Sequence, residues 1–308
     1  MTSLKYTSDM NLSALWVSIR NSKLSNSIDL ENFREPGQIN SRLASWEPRE
    51  PSLRWYRSFL NLSLNLLSER QKILLSNLEN KSLGNPVSVM RNIGDSNQKC
   101  NLDYILSAVE MDFLEQALNE DLFAIRSVIE VGAGFGRSAH IILTNMSDIE
   151  SYTILDFPEM LNLSRSYLKQ ILPPSLFKKV LFITPEEIDD SEFDLAIQID
   201  GLQEMDTEVI DHYFELVFDK SHYVFFRNPV AKYLPVHAGI LNSENSKVPM
   251  TLGRSQTVID IWNMSEVESL CAQHDSSYKP KNSTLKLAKN CILLPHYRMQ
   301  FFKNDLWN

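Results

Sequence analysis

The spacing of apolar residues changes from a helical to a strand-like period near residue 126. Between Pro51 and about Asn80, apolar residues recur at i, i+4, i+7 and i+11, which predicts one buried face of a long amphipathic helix. That face consists of Trp55, Phe59, Leu62 and Leu66. The same spacing predicts a second helix through Leu102, Leu106, Val109, Phe113 and Ala117. Turn residues dominate the segment between the two helices, and residues 1 to 50 are expected to be irregular or in short helices.

After Arg126, short apolar runs alternate with helical patterns. Strands are predicted at 127–131, 152–155, 180–183, 195–199 and 223–226, with helices at 137–145, from Pro158 to the Pro173-Pro174 stop, and around 210–217. This alternation predicts βαβ units, hence an α/β, doubly wound fold with a mostly parallel sheet. We expect two domains: a helical lid at 1–120 that selects the substrate or mediates dimerisation, and the α/β domain at 121–308.

Composition narrows the class of protein. Of 308 residues, 43% are hydrophobic and 22% are charged, which is typical of a globular protein rather than of a disordered or membrane-embedded one. The formal net charge of −9 argues against a general nucleic-acid or anionic-membrane surface, because phosphates attract basic surfaces. Three cysteines without CxxC spacing indicate neither a disulfide framework nor a zinc site. The first residues lack a signal-peptide pattern, so we expect a cytoplasmic protein.

An acidic stretch stands out in the second half of the chain. Between Glu186 and Asp219 there are 13 acidic residues and neither lysine nor arginine. The stretch is either a solvated surface or the entrance to a binding site that favours a cationic ligand or a metal.

Glycine is scarce except at one turn. Three of the nine glycines, Gly132, Gly134 and Gly136, fall within five residues, directly after the predicted strand at 127–131. Such a turn lets the backbone approach a ligand closely, and the helix that follows presents free N–H groups. Asp156 ends the second strand, 24 residues after Gly132, where a carboxylate can accept hydrogen bonds from two ribose hydroxyls. The pattern therefore predicts a ligand with an adenosine-type ribose.

Two ligand classes fit this turn. Gly134-x-Gly136-x-x-Ala139 satisfies the dinucleotide pattern. Glu130, however, lies two residues before the first glycine, where its carboxylate would engage an amine and repel a pyrophosphate. Arg137, rather than a glycine, follows the triplet. These two details favour S-adenosylmethionine.

The strings EVGAGFGR and YTILDFPEM resemble motifs I and II of class I S-adenosylmethionine-dependent methyltransferases. More narrowly, DFPEM, IQIDGLQEM, HYFELVF and FFRNP resemble the sugar O-methyltransferase family of bacterial polysaccharide and natural-product clusters. The resemblance covers about residues 100 to 230. It implies a Rossmann-like fold, S-adenosyl-L-methionine as cofactor and a sugar-like acceptor. One departure is Asp200-Gly201, where that family tends to have a small polar residue after strand four.

Cofactor and acceptor are expected at the carboxyl ends of the strands. The residues expected to bind the cofactor are Glu130, Gly132, Gly134, Gly136, Asp156, Phe157, Thr184, Asp200, Gly201 and Gln203. Of these, Phe157 and Thr184 are expected either at the adenine edge or in simple packing. The residues expected to bind the acceptor are Arg227, Asn228 and Tyr233.

Methyl transfer to oxygen needs a base for the hydroxyl proton, and two residues are candidates. Glu204 is either that base or a helix-start acid stabilised by the helix dipole. His237 lies in the long segment after strand five, and long loops in compact domains are commonly functional, so it is a base, an acceptor ligand or a solvated loop histidine. Asp200 and Glu204 could together ligate a divalent metal, although two carboxylates alone do not indicate one.

Other functions remain open from the sequence. The acidic stretch is compatible with an amine acceptor and hence with an N-methyltransferase of a small metabolite. A carboxyl-methyltransferase is a further alternative, and the dinucleotide pattern is compatible with an NAD-dependent oxidoreductase. A scaffold without catalytic activity is the last alternative. We expect a small-molecule acceptor and neither a nucleic-acid nor a membrane partner, with a homodimer left open.

Overall fold

The computed structural model describes residues 29–35, 53–93, 96–234, 236–237 and 250–307. The helices of these ranges are α1 (Leu53–Leu66), α2 (Glu69–Ser76), α3 (Leu102–Leu118), α4 (Arg137–Asn145), α5 (Pro158–Ile171), α6 (Pro174–Phe177), α7 (Thr207–Leu216) and α8 (Met264–Ser277). The strands are β1 (Val89–Ile93), β2 (Ser96–Cys100), β3 (Ser127–Val131), β4 (Ser151–Leu155), β5 (Val180–Ile183), β6 (Leu195–Ile199), β7 (Tyr223–Pro229), β8 (Lys232–Tyr233), β9 (Val258–Ile259), β10 (Ser283–Asn290) and β11 (Tyr297–Asn304).

Seven strands form one sheet in the order β10-β11-β7-β6-β3-β4-β5. Strands β3 and β6, β6 and β7, and β4 and β5 pair in parallel, whereas β11 is antiparallel to both β7 and β10. The strand order reverses between β3 and β6, and ligands of doubly wound α/β folds bind beyond the carboxyl ends of the strands at that reversal. The predicted α/β, Rossmann-like fold with a mostly parallel sheet is confirmed.

The described residues fall into two compact units. One contains Val128–Gly132 and the described part of 185–308. The other contains the described part of 23–127 together with Ala133–Thr184. The predicted boundary near residue 120 does not coincide with these divisions. The roles expected for residues 1–120 stay predictions, and most of the predicted irregular region at 1–50 lies outside the described residues.

The core of the first unit is built on β7. All seven of its residues are buried, as expected for a strand that has a neighbour on each side and is covered on both faces. Helix α7 buries Ile210 and Phe214, and the ring of Phe214 lies 5.8 Å from that of Phe226 in β7. This packing holds the carboxyl ends of β6 and β7 at the edge where ligands are expected.

The core of the second unit is built on α3, in which 14 of 17 residues are buried. Helix α3 begins at Asn101, whose side chain accepts a hydrogen bond from the backbone N–H of Tyr104. Three of its buried residues, Asp103, Glu110 and Asp112, are acidic and therefore need partners inside the protein.

The predicted helix from Pro51 to about Asn80 is wrong, because the structure has two helices there. The first helix ends at Leu66, and the second begins at Glu69, where Ser68 and Gln71 form a capping box. The predicted buried face is also wrong: Trp55 is 68% exposed, and Leu62 and Leu66 are exposed as well. The buried residues of α1 are instead Tyr56, Leu60, Ser63 and Leu64, a face rotated from the predicted one.

The five predicted strands of the sheet are confirmed, with β7 extended to Pro229. Three features were not predicted. The turn-rich segment holds the antiparallel hairpin β1–β2, the predicted loop after strand five contains β8, which pairs with β9, and the C-terminal region adds α8, β10 and β11. Among the described helices, none combines the length and apolar character needed to cross a bilayer.

Candidate functional site

The glycine turn that follows β3 has a left-handed backbone at all three glycines. The φ angles are +74° at Gly132, +60° at Gly134 and +93° at Gly136. A Cβ atom placed on Gly132 or Gly134 would meet no heavy atom within 4 Å, whereas one on Gly136 would lie 2.9 Å from Leu168 Cδ1. The first two glycines therefore border open space, and the third permits close packing against α5.

Asp156 ties this turn to the end of β4. Its Oδ2 accepts a hydrogen bond from the backbone N–H of Gly134 over 3.2 Å, and its Oδ1 accepts one from the backbone N–H of Phe157 over 2.8 Å. Its own N–H donates to the carbonyl of Ile183 at the end of β5, one residue before Thr184. The structure thus brings together Gly134, Asp156, Phe157 and Thr184, all predicted as cofactor residues, and leaves Phe157 and Thr184 half-buried.

The helix that follows the turn is fixed by a buried ion pair. Arg137, the first residue of α4, donates to Glu110 of α3 through Nη1 to Oε2 at 2.6 Å and through Nη2 to Oε1 at 3.1 Å. Nη1 also donates to Ser107 Oγ over 2.8 Å. The Arg137 side chain is therefore engaged with α3.

Glu130 lies in β3, two residues before Gly132, and is only 2% exposed. In the parallel register of β3 and β6 it is opposite Ile197. Its predicted contact with a methionine amine stays a prediction.

The turn after β6 has a strained backbone and three fixed contacts. Asp200 has a φ of +62°, a left-handed conformation that costs a non-glycine residue energy, and its N–H donates to the carbonyl of Arg227 over 2.8 Å. Asn228 Oδ1 accepts from the N–H of Leu202 over 3.1 Å, and Asn228 Nδ2 donates to Gln198 Oε1 over 2.7 Å.

Gly201 packs against Gln198: a Cβ at position 201 would displace the amide nitrogen of that side chain. Since Val131 is opposite Gln198 in the register of β3 and β6, Gly132 and Asp200 follow neighbouring strands.

Three residues predicted to contact ligands are buried. Arg227 and Asn228, both predicted to bind the acceptor, have no exposed surface, and the Arg227 guanidinium lies 4.5 Å from the centre of the Tyr297 ring. Gln203, predicted to bind the cofactor, donates from Nε2 to the carbonyl of Pro229 over 3.3 Å. Their contacts with ligands stay predictions.

Lys232 was not predicted as a site residue. It lies at the start of β8 and is only 2% exposed. Its Nζ donates a hydrogen bond to the carbonyl of Gln203. Burial lowers the pKa of Lys232 to about 8, against the opposing effect of the nearby Glu204 carboxylate. The available signal was a single lysine in the apolar string NPVAKYLP directly after strand five.

Tyr233 lies within electrostatic reach of both Asp200 and Glu204. Burial raises the pKa of Tyr233, and the charges of Asp200 and Glu204 raise it further. The Tyr233 ring meets the His296 ring edge-on at 5.4 Å, and burial, followed by the charge of Arg227, lowers the pKa of His296 to about 4. The His296 imidazole is therefore neutral at pH 7, and His296 joins this cluster without having been predicted.

His237 is half-buried, and its Nδ1 lies 3.0 Å from the carbonyl oxygen of Ile259 in β9. A carbonyl only accepts hydrogen bonds, so in the neutral ring this contact places the proton on Nδ1 and the lone pair on Nε2.

Within the described ranges, no group of three or more His, Cys, Asp or Glu side chains could hold a metal ion. The residues considered as ligands from the sequence, Asp200 and Glu204, are two carboxylates, whereas magnesium and calcium usually take six or more oxygen ligands.

Neither a family model nor a curated protein matches the chain. Among solved structures, it is similar to the methyltransferase domain of bacterial CtHen1-CN, with 16% identity, a TM-score of 0.45, and coverage of 64% of this chain and 99% of that chain. It is similar to the mitomycin 7-O-methyltransferase MmcR, with 14% identity, a TM-score of 0.40, and coverage of 66% and 56%. It is also similar to the O-methyltransferase NcsB1 from neocarzinostatin biosynthesis, with 17% identity, a TM-score of 0.38, and coverage of 66% and 56%. The fold of this chain is assigned from its own strand order.

Proposed function

We propose that this protein is an S-adenosylmethionine-dependent methyltransferase that methylates a hydroxyl of a sugar or sugar-like small metabolite in polysaccharide or natural-product biosynthesis. The observation that carries the proposal is the turn at Gly134. Its left-handed backbone borders open space, and its N–H is held by the Asp156 carboxylate. A carboxylate at the end of the second parallel strand is the group that engages ribose hydroxyls in doubly wound folds. These residues fit a nucleoside cofactor.

Three observations favour S-adenosylmethionine over a dinucleotide. Glu130 is a buried carboxylate directly before the turn, which suits an amine and disfavours a pyrophosphate. Arg137 is engaged with Glu110 and so does not offer its charge to a phosphate. Beside β7 the sheet has the antiparallel strand β11, whereas the common dinucleotide-binding order continues with a sixth parallel strand.

When bound, the cofactor supplies a methyl group on a positively charged sulfur. The chain's residues have to hold the two reactants in line and take up the hydroxyl proton of the acceptor. We propose that His237 takes up this hydroxyl proton, because its hydrogen bond to Ile259 leaves Nε2 as the accepting atom. Glu204 is the second candidate. It lies within electrostatic reach of the Lys232 ammonium group.

Lys232 has a supporting part in this proposal. Its hydrogen bond to the Gln203 carbonyl fixes the residues that follow β6, which include Gln203 and Glu204. The hydroxyl preference itself rests on the resemblance of the strings DFPEM and FFRNP to sugar O-methyltransferases. A nitrogen or carboxyl acceptor is the alternative to a hydroxyl. We also propose a cytoplasmic location, and a homodimer is left open.

The first test is calorimetric titration of the full chain with S-adenosylhomocysteine and, separately, with NADH. We expect binding of the former alone. Gly134→Val should abolish it, because the side chain enters the open space beside the turn and is strained at positive φ. Tight NADH binding without S-adenosylhomocysteine binding would refute the proposal.

The second test is product analysis by mass spectrometry, with labelled cofactor and panels of sugars, carboxylates and amines. We expect the label on a sugar oxygen. Label found only on nitrogen or on a carboxylate would refute hydroxyl methylation while leaving methyl transfer intact.

A further inference from the structure

The segment Asp29–Glu35, here called the N-terminal clamp, packs against the glycine turn. Phe135 stands between Gly134 and Gly136, and its ring centre lies 5.8 Å from that of Phe33 in an edge-to-face contact. The guanidinium carbon of Arg34 lies 4.8 Å from the centre of the same Phe135 ring, within range for a cation–π interaction. Two consecutive clamp residues thus contact the side chain at the middle of the turn.

Arg34 is held by four acceptors and has no exposed surface. Nη2 donates to Asp103 Oδ2 over 2.6 Å and to Asn101 Oδ1 over 2.9 Å. Nη1 donates to the carbonyls of Lys81 and Leu83 over 3.1 and 3.0 Å. Because a buried cation is stable only with such partners, the position of Arg34 is tightly determined.

The surface below Phe33 is shaped to receive it. Gly84 has a φ of +88°, and a Cβ there would lie 2.6 Å from Phe33 Cε1. The Gly84 carbonyl accepts a hydrogen bond from the backbone N–H of Arg34 over 2.8 Å. Glycine at this position therefore allows both the ring contact and the backbone contact of the clamp.

Phe135 also packs against a buried polar network. Its ring centre lies 5.0 Å from that of Tyr167, whose hydroxyl is 2.8 Å from the hydroxyl of Tyr104. The Tyr104 hydroxyl lies 2.7 Å from His140 Nδ1, and burial lowers the pKa of His140 to about 3, so the imidazole is neutral. The Tyr167 ring also lies edge-on to Phe33, with 5.9 Å between the ring centres, so the clamp and Phe135 pack on the same buried network.

From these contacts we infer that Phe33 and Arg34 are positioning residues for the glycine turn, and that docking of the clamp and binding of the adenosyl cofactor stabilise each other. The inference rests on the proposed function, since the cofactor is the ligand of that turn. A turn held by the clamp keeps the Gly134 N–H in place beside Asp156. By linkage, a cofactor that favours the ordered turn must favour the docked clamp by the same factor.

The test uses the full chain and S-adenosylhomocysteine as probe, with hydrogen exchange measured by mass spectrometry. Saturating probe should slow amide exchange of residues 30–35 by about fivefold or more, the lower end of typical coupling between sites. Helix α8 should not change. In Gly134→Val, which should not bind the probe, residues 30–35 should also show no change.

Binding to variants provides an independent measurement. Phe33→Leu keeps most of the buried volume and removes the aromatic edge, and Arg34→Lys keeps the charge beside Asp103 and removes the planar stack. Both should weaken S-adenosylhomocysteine binding by about fivefold or more at a temperature where circular dichroism reports a folded chain. The matched control is Arg70→Ala. Arg70 is an exposed arginine of α2 that pairs with Glu115 of α3, the helix that also holds Asp103. Its removal should leave the affinity within about twofold.

The outcomes separate the two proposals. Probe binding by the wild type with unchanged exchange at residues 30–35, or with Phe33→Leu binding as tightly as the wild type, would overturn the coupling and leave the proposed function standing. A wild type that does not bind the probe would overturn the proposed function and this inference with it.

Discussion

Gly134 donates its backbone N–H to Asp156 Oδ2 over 3.2 Å, while Oδ1 of the same carboxylate accepts from the N–H of Phe157 over 2.8 Å. Both carboxylate oxygens are thus engaged where the glycine turn meets the start of α5. The amide of Asp156→Asn has only one oxygen, so one of the two N–H groups loses its acceptor. We expect a loss of about 1–3 kcal/mol in the free energy of unfolding and about tenfold weaker S-adenosylhomocysteine binding.

Urea unfolding and calorimetry measure the two effects. Asp148→Asn is the control, because Asp148 is half-exposed and its ion pair with Arg126 at 3.1 Å should be worth about 1 kcal/mol or less. An Asp156→Asn protein with wild-type affinity would show that this carboxylate does not hold the cofactor.

Removal of one partner of the Glu110–Arg137 pair should strongly destabilise the protein. The pair is buried, so Glu110→Ala leaves the arginine without its carboxylate inside the protein. We expect a loss of about 3–5 kcal/mol in the free energy of unfolding by urea titration. Glu115→Ala removes the carboxylate that pairs with the exposed Arg70 and should cost about 1 kcal/mol or less. Equal losses in the two variants would contradict the buried character of the Glu110 pair.

Lys232 should make the stability of the protein depend on pH under alkaline conditions. Burial lowers its pKa to about 8 in the folded state from an ordinary value near 10.5, so the unfolded chain binds more protons between these values. The contribution of Lys232 to the free energy of unfolding therefore rises as the pH is raised from about 8 to 10.5, and it is constant below pH 8.

The comparison with Lys232→Met isolates this effect. The free energy of unfolding of the wild type, relative to that of Lys232→Met, should rise by roughly 1–3 kcal/mol between pH 7.5 and 10. Lys289→Met is the control, because its side chain is more accessible in β10 and no such rise is expected. A difference that falls with pH would contradict the lowered pKa.

Replacement of His237 tests its proposed role as the base. His237→Ala should lower the rate of methyl transfer by about 10²- to 10⁴-fold, the usual contribution of general base catalysis, with little effect on S-adenosylhomocysteine affinity. Single-turnover kinetics with labelled cofactor measures the rate. His212→Ala, on the half-exposed side of α7, should retain the wild-type rate. Full turnover by His237→Ala would show that His237 is not the base. The same measurement on Glu204→Gln would then test the second candidate.

Local patterns in the sequence were sufficient to predict the strands and the glycine turn. The runs that became β3 and β6 are short and mainly apolar, and burial on both faces of a parallel sheet requires such runs. The left-handed backbone at Gly132, Gly134 and Gly136 follows from residue type, because glycine is the residue that adopts it readily. Both properties depend on a few neighbouring residues.

The face that α1 buries could not be predicted from its own residues. Its apolar positions allow two faces, and tertiary packing selects the one with Tyr56 and Leu60 while leaving Trp55 exposed. The antiparallel strands β10 and β11 were missed for a related reason: their partners are each other and β7. Only one of the eight residues of β10 is buried, which weakens its apolar pattern.

The sequence by itself determined where the chain turns, where five strands of the sheet lie and which residues are candidates for chemistry. Only the tertiary structure decided what those residues contact. Arg34 reaches Asp103 across 69 positions of the chain, and Lys232 reaches Gln203 across 29. The physical reason is that backbone conformation and hydrophobic period are local properties, whereas the partners of buried charges are set by which distant segments pack together.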